Sequence, residues 1–227
     1  MTAAVTQLLA ELAAAMPTVR TPFTTADRAE RVYEAYIFAQ VVASAAECGA
    51  LISYENGSEA QVKDLLLRGA PGALHVRDRG FTHALLQFGN ARPIEMHVRV
   101  KVQGKSFASE SDILLLDTKT ARESRDKRKL PAAVGCLLSI ECKYYLVPLP
   151  RDEAIHYLGV RSNLSAKMQS LFVTNSFSAP ANQCLGGEPW PYEFGVLPGT
   201  RFQQYVRAHI RQIVKRFIVT FDLSHRT

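Results

Sequence analysis

The 227-residue sequence has no apolar run near the ~20 residues that a membrane-spanning helix needs. Even the Ala-rich stretch from Ala35 to Ala46 is short and holds Gln40, so no membrane association is expected. The first sixteen residues lack Lys and Arg and are interrupted by Glu11. They have no charged n-region of a secretion signal, and they are expected to belong to the mature fold of a cytoplasmic protein. Cysteine is scarce. Cys48, Cys136, Cys142 and Cys184 form no CxxC and lie at no zinc-ligand spacing with a histidine, which predicts reduced, mostly buried thiols. The six histidines form no HxxxH, and there is no internal repeat or low-complexity linker. What is present is 47% apolar residues, enough for one substantial core, and 27 Lys+Arg against 21 Asp+Glu, a net charge of +6 that favours polyanions.

Hydrophobic spacing predicts the elements. Val5, Leu8, Leu9, Leu12 and Met16 mark an amphipathic helix closed by Pro17. Thr24 and Asp27 form a potential capping box before a long helix that Gly49 stops. A helix around Gln61 to Arg68 and a strand from Ala84 to Phe88 are weaker signals. Ile94, Met96, Val98, Val100 and Val102 alternate with Glu95, His97, Arg99, Lys101 and Gln103, which predicts a strand with one wet face. After a Gly104-Lys105 turn, Asp112 to Asp117 (DILLLD) has the unbroken apolar run of a central strand. A long polar loop leads to a strand at Cys136 to Tyr145, ended by Pro148 and Pro150. A helix at Arg151 to Val160, a strand at Leu171 to Thr174, a helical turn at Ala179 to Leu185 and a helix carrying Phe202, Val206, Ile210, Ile213 and Phe217 complete the pattern. The expected fold is a single α/β domain, a mixed sheet flanked by helices. Its core spans about residues 24–175, and helices at 2–16 and 201–218 are additions.

The residues that do not suit a plain sheet are acidic. Glu141 and Lys143 share one face of their strand and Cys142 faces the other way. Glu110 and Asp112 share a face of the preceding strand, so Asp112 and Glu141 converge if the two strands are neighbours. Converging carboxylates are tolerated when a cation separates them or one takes a proton. Oxygen ligands favour Mg²⁺ or Mn²⁺, and an adjacent lysine can orient an attacking water. The bland alternative is a strand-to-strand salt bridge in which Lys143 neutralises a carboxylate. Glu34 lies on the apolar stripe of the long helix with Phe38, Val41 and Ala45 and requires a partner, either the same cation or a neighbouring Arg or Tyr.

Glu34 on a long helix, SESD ending in Asp112, and IECK with Glu141 and Lys143, in a helix-strand-strand-strand-helix-strand order, resemble the PD-(D/E)xK nuclease superfamily with its restriction-endonuclease-like fold. Ser111 stands where the superfamily's proline would be. The resemblance implies that Asp112 and Glu141 hold a divalent metal, that Cys142 assists through its carbonyl, that Lys143 positions the water, and that Glu34 supports the site. The activity it implies is a metal-dependent endonuclease acting on DNA, in restriction, phage defence or repair. A catalytically silent nucleic-acid-binding or assembly module of the same fold is the alternative. Cutting both strands would need two sites, so a homodimer or larger assembly is expected. Six basic residues between Lys119 and Lys129 (Lys119, Arg122, Arg125, Lys127, Arg128, Lys129) oppose two acids, and Arg207, Arg211 and Lys215 recur every four residues on the last helix. Both groups are candidate phosphate contacts, or else simply solvated charge.

Overall fold

A computed structural model describes residues 2–76 and 80–224. Seven strands form one sheet in chain order: β1 (Leu51–Glu55), β2 (His83–Gln87), β3 (Ile94–Gln103), β4 (Ala108–Asp117), β5 (Cys136–Lys143), β6 (Gln169–Thr174) and β7 (Tyr192–Glu193). Strands β1 to β5 run antiparallel to one another, whereas β5, β6 and β7 are parallel. The parallel pairs need crossovers, supplied by α4 (Arg151–Asn163) and α5 (Ala179–Leu185). This is the expected mixed α/β architecture, and β4 lies in the middle of the sheet as its apolar run predicts.

One face is covered by α1 (Thr2–Ala15), α2 (Ala29–Glu47) and α6 (Arg201–Ser224), which share a core with Ile113, Leu115, Leu138 and Ile140. The opposite face carries α3 (Thr118–Asp126) with α4 and α5. Helix α2 is buried almost all round, because α1 and α6 pack against it while it packs on the sheet. Among the described residues no helix is long and apolar enough to cross a membrane.

Several local expectations need correction. Thr24 and Asp27 bond to each other, the Thr24 N–H donating to Asp27 Oδ2 at 2.8 Å, but they form a turn ahead of α2, whose N-cap is Arg28. Gly49 does end α2, at φ +86°, a conformation that costs glycine little. Residues 61–68 are not helical; they pair with neighbouring chain, as in the Val62 N–H to Tyr54 carbonyl bond at 2.9 Å. The polar stretch after β4 is not a loop. Asp117 caps α3 by accepting the Lys119 N–H, and the helix lies over β3. As a result the wet face expected of β3 is dry at Glu95 and His97 and exposed only at Lys101 and Gln103. Strand β7 is short and sits in the Gly/Pro-rich segment expected to be irregular, so it has no periodicity to read. Cys136 and Cys142 are buried, Cys48 and Cys184 half-buried, and all four are free thiols.

Candidate functional site

The β4–β5 ladder stops at the pair Ile113 and Ile140. One step further the strands splay, and the Cys142 N–H donates to Asp112 Oδ2 at 2.8 Å in place of a backbone carbonyl. Glu141, paired with Phe172, points to the α4 side, whereas Asp112 faces the cleft beside Glu34, Glu110 and Cys142. A cleft of about 920 Å³ opens beside this fork. Glu34, Arg99, Glu110, Asp112, Cys142 and Lys143 line it, together with Tyr144, Tyr145 and Leu146 beyond β5 and residues 25–30 leading into the first turn of α2.

Several charged groups in and beside the cleft have definite partners. Arg99 grips Glu34 with two bonds, Nε to Oε2 at 2.8 Å and Nη2 to Oε1 at 2.6 Å. Arg99 can reach α2 because it sits at φ +52°, a left-handed conformation rare for arginine, and interrupts the β3–β4 ladder between Val98 and Val100. Val98 belongs to the core under α2 and Val100 to the core under α3, so the strand changes its packing face at this residue. Lys143 Nζ lies 2.9 Å from Glu141 Oε1 and 3.2 Å from Glu153 Oε2 on α4. The Tyr145 hydroxyl donates to Glu153 Oε1 at 2.5 Å.

The electrostatics favour a cation. Burial, then the Glu141 and Glu34 charges, push the Asp112 carboxyl well above the usual range, against the opposing pull of the Cys142 N–H and Lys143. Burial also raises Glu110, with Glu141 and Glu34 adding to it and Arg99 opposing. Burial works against the charge on Lys143, yet Glu141, Asp112 and Glu153 hold it above the ordinary lysine value, so it stays an ammonium ion. The cleft therefore has carboxylate oxygens in excess and a fixed cation beside them, a donor set that fits Mg²⁺ or Mn²⁺.

Of the residues singled out by sequence, Glu34, Asp112, Cys142 and Lys143 line one cleft, and Glu141 joins it through Lys143. Their carboxylates are paired with Arg99, Lys143 and a backbone N–H, and they are not gathered at ligand separation around a common point. The basic residues fall elsewhere. None of Lys119, Arg122, Arg125, Lys127, Arg128, Lys129, Arg207, Arg211 or Lys215 lines the cleft. Arg125 is buried with both Nη atoms 2.7 Å from Glu95, so it does not present its charge to solvent. Arg122 bonds Glu59, Lys127 bonds Glu123, and Lys119, Arg128 and Lys129 are exposed. Arg207 and Arg211 are tied to Glu47 at 3.1 and 2.6 Å, joining α6 to α2 rather than forming a free ridge; Lys215 is exposed.

The cations that do line the cleft are Arg28, Arg99 and Lys143. Sequence reasoning missed Arg99, which sits unremarkably among the polar positions of the β3 alternation. It also missed Glu153, hidden among the acids expected in the first turn of any helix. No family model, no curated protein and no solved structure matches the chain.

Proposed function

We propose that the chain is a metal-dependent nuclease of restriction-endonuclease-like architecture, acting on DNA. The observation that carries this reading is the fork between β4 and β5. Asp112, its carboxyl driven up by burial and then by the Glu141 and Glu34 charges, stands there within the field of the Lys143 ammonium. Asp112 and Glu141 would hold Mg²⁺ or Mn²⁺, with the Cys142 carbonyl as a further oxygen donor and Glu34 as a supporting carboxylate. The chemistry that such an ion supplies is polarisation of the scissile phosphate and acidification of water.

The remaining steps belong to the protein's own residues. Lys143, fixed from two sides by Glu141 and Glu153, aligns the attacking water and offsets the charge that grows on the phosphate. Arg99 presents its guanidinium to the same cleft while bound to Glu34, which suits contact with a neighbouring phosphate oxygen. In-line attack would leave a 5′-phosphate, and restriction, phage defence or repair in the cytoplasm, by a homodimer or larger assembly, are the roles that fit this chemistry.

A second reading is supported by the completeness of the pairing. Glu34 with Arg99, and Glu141 and Glu153 with Lys143, are satisfied without any cation, as in a catalytically silent nucleic-acid-binding module. Incubation with plasmid, single-stranded DNA and RNA in Mg²⁺, Mn²⁺ or EDTA separates the two. Cleavage that EDTA abolishes, and that Asp112→Ala and Lys143→Ala each reduce at least ~100-fold, is the expected result. Salt-sensitive binding without cleavage by the wild type would transfer the assignment to the silent module.

A further inference from the structure

The β1–β2–β3 margin carries a second polar cluster, distinct from the cleft. The register that pairs Glu55 with His83 and Ala84 with Met96 lays Glu55, His83 and His97 side by side across three strands. The two imidazoles stack with ring centroids 4.6 Å apart. Glu95, two residues before His97, points to the same side, and its Oε2 lies 2.9 Å from His97 Nε2 and 3.7 Å from His83 Nε2. Glu55 Oε2 lies 3.9 Å from His83 Nε2.

His83 is 1% exposed, and its Nε2 has no hydrogen-bond partner. A buried ring nitrogen left without a partner costs stability, and the groups that face it are carboxylate oxygens beyond hydrogen-bonding distance. Those separations suit a different purpose. Around a tetrahedral zinc with bonds of 2.0–2.1 Å, ligand atoms stand about 3.3 Å apart, and the distances here, 2.9 to 3.9 Å, bracket that value. One ligand atom from each of His83, Glu95 and His97 lies within 4.8 Å of the other two, and among the described residues no other group of three histidine, cysteine or acidic side chains does this.

We propose that His83, Glu95 and His97 hold a zinc ion, with Glu55 flanking it on the His83 side. Two imidazole nitrogens with a carboxylate suit zinc or iron(II), whereas Mg²⁺ prefers oxygen alone, and a closed site without open positions favours zinc. The fixed charges around the set balance, Glu55, Glu59 and Glu95 against Arg68, Arg122 and Arg125. Arg125, reaching across from α3, grips both oxygens of Glu95 at 2.7 Å and fixes the orientation of that carboxylate. The His83, Glu95 and His97 side chains are each at most 8% exposed, so the site is closed and structural, tying α3 to the β1–β2–β3 margin.

The test is metal analysis of the full chain expressed with zinc and dialysed against metal-free buffer. One zinc per chain is expected, lost in His83→Gln and in His97→Gln and retained in Asp112→Asn. Cobalt in its place should give the visible ligand-field bands of a tetrahedral site. Substoichiometric zinc in the wild type, or zinc kept by both histidine variants, would overturn the assignment. So would zinc lost only from Asp112→Asn, which would place the ion in the cleft. Should the histidine variants fail to fold, the wild type decides: a melting temperature several degrees higher with zinc than with chelator is expected, and an unchanged one refutes the site. None of these outcomes depends on nuclease activity, so either proposal can fail without the other.

Discussion

Asp112 and Glu95 are both buried carboxylates on the sheet, 8% and 2% exposed, and their surroundings drive them in opposite directions. Burial opposes the charge in both. At Glu95 two Arg125 bonds and the His97 contact overcome it and hold the carboxyl well below the usual range. At Asp112 the neighbours are Glu141 and Glu34, and one backbone N–H with Lys143 does not compensate, so the carboxyl rises. Burial sets how much is at stake, and the surrounding charges set the sign. The sealed cluster is closed under α3, whereas the cleft is open, and at Asp112 burial and like charges outweigh the Lys143 ammonium.

The largest effect expected comes from breaking the sealed cluster. With chelator present, Arg125→Leu leaves Glu95 charged in the interior with only the His97 contact and should lower unfolding stability by about 3–5 kcal/mol in urea denaturation. Removing both charges, in Glu95→Leu with Arg125→Leu, should recover much of that loss. A double variant as unstable as the single would mean that packing, not the unpaired charge, is what Arg125 supplies.

Acid titration extends the contrast. With chelator present, His83, held down to about 3, and Glu95, held below the ordinary carboxylate range, both bind protons more readily when unfolded. Their contribution is present above the unfolded values, near 6.5 for histidine and 4.3 for glutamate, and is lost as pH falls toward the folded ones. Each group adds a slope of up to ~1.4 kcal/mol per pH unit, so His83→Gln should visibly flatten the decline between about pH 6 and pH 3. Identical slopes for the variant and the wild type would show that His83 titrates normally in the fold.

The cleft should respond with the opposite sign. Asp112 is raised when folded, so its charge costs stability once pH climbs above the ordinary aspartate value near 4. In EDTA at neutral pH, Asp112→Asn should therefore be more stable than wild type, by roughly 1–2 kcal/mol, with the gap closing as pH drops below about 4. Mg²⁺ should narrow the gap from the other side by stabilising only the wild type. A destabilised variant would make Asp112 a structural anchor for Cys142 instead of a strained ligand.

Sequence made the framework legible because it is written in local periodicity. The DILLLD run marks the central strand, and the two-residue spacing of Glu141 and Lys143 puts both on one face. The register that joins Asp112 to that pair depended only on adjacent strands. The sealed cluster was hidden because its members are brought together by three-strand register and a helix thirty residues on, and no fixed spacing records that. Arg99 was hidden for a conformational reason. Its positive φ breaks the alternation that reads as regular in sequence.

The smallest effect comes from a pair of arginines one helical turn apart. Arg122 and Arg125 both reach Glu59, Nη2 to oxygen at 3.2 and 3.3 Å, but Arg122 is exposed and Arg125 is not. An exposed pair pays for ordering two long side chains and is screened by salt, so Arg122→Ala should change stability by less than about 1 kcal/mol. A loss comparable to that of Arg125→Leu would mean that Glu59 depends on both partners and that the two arginines act as one unit. With stability nearly unchanged, the same variant isolates the surface charge of α3. If Arg122 leaves Glu59 for a phosphate on duplex DNA, removing it should lower the slope of log affinity against log salt by about one. If the slope does not move, α3 faces away from the nucleic acid, and contact falls to Arg28, Arg99 and Lys143 in the cleft itself.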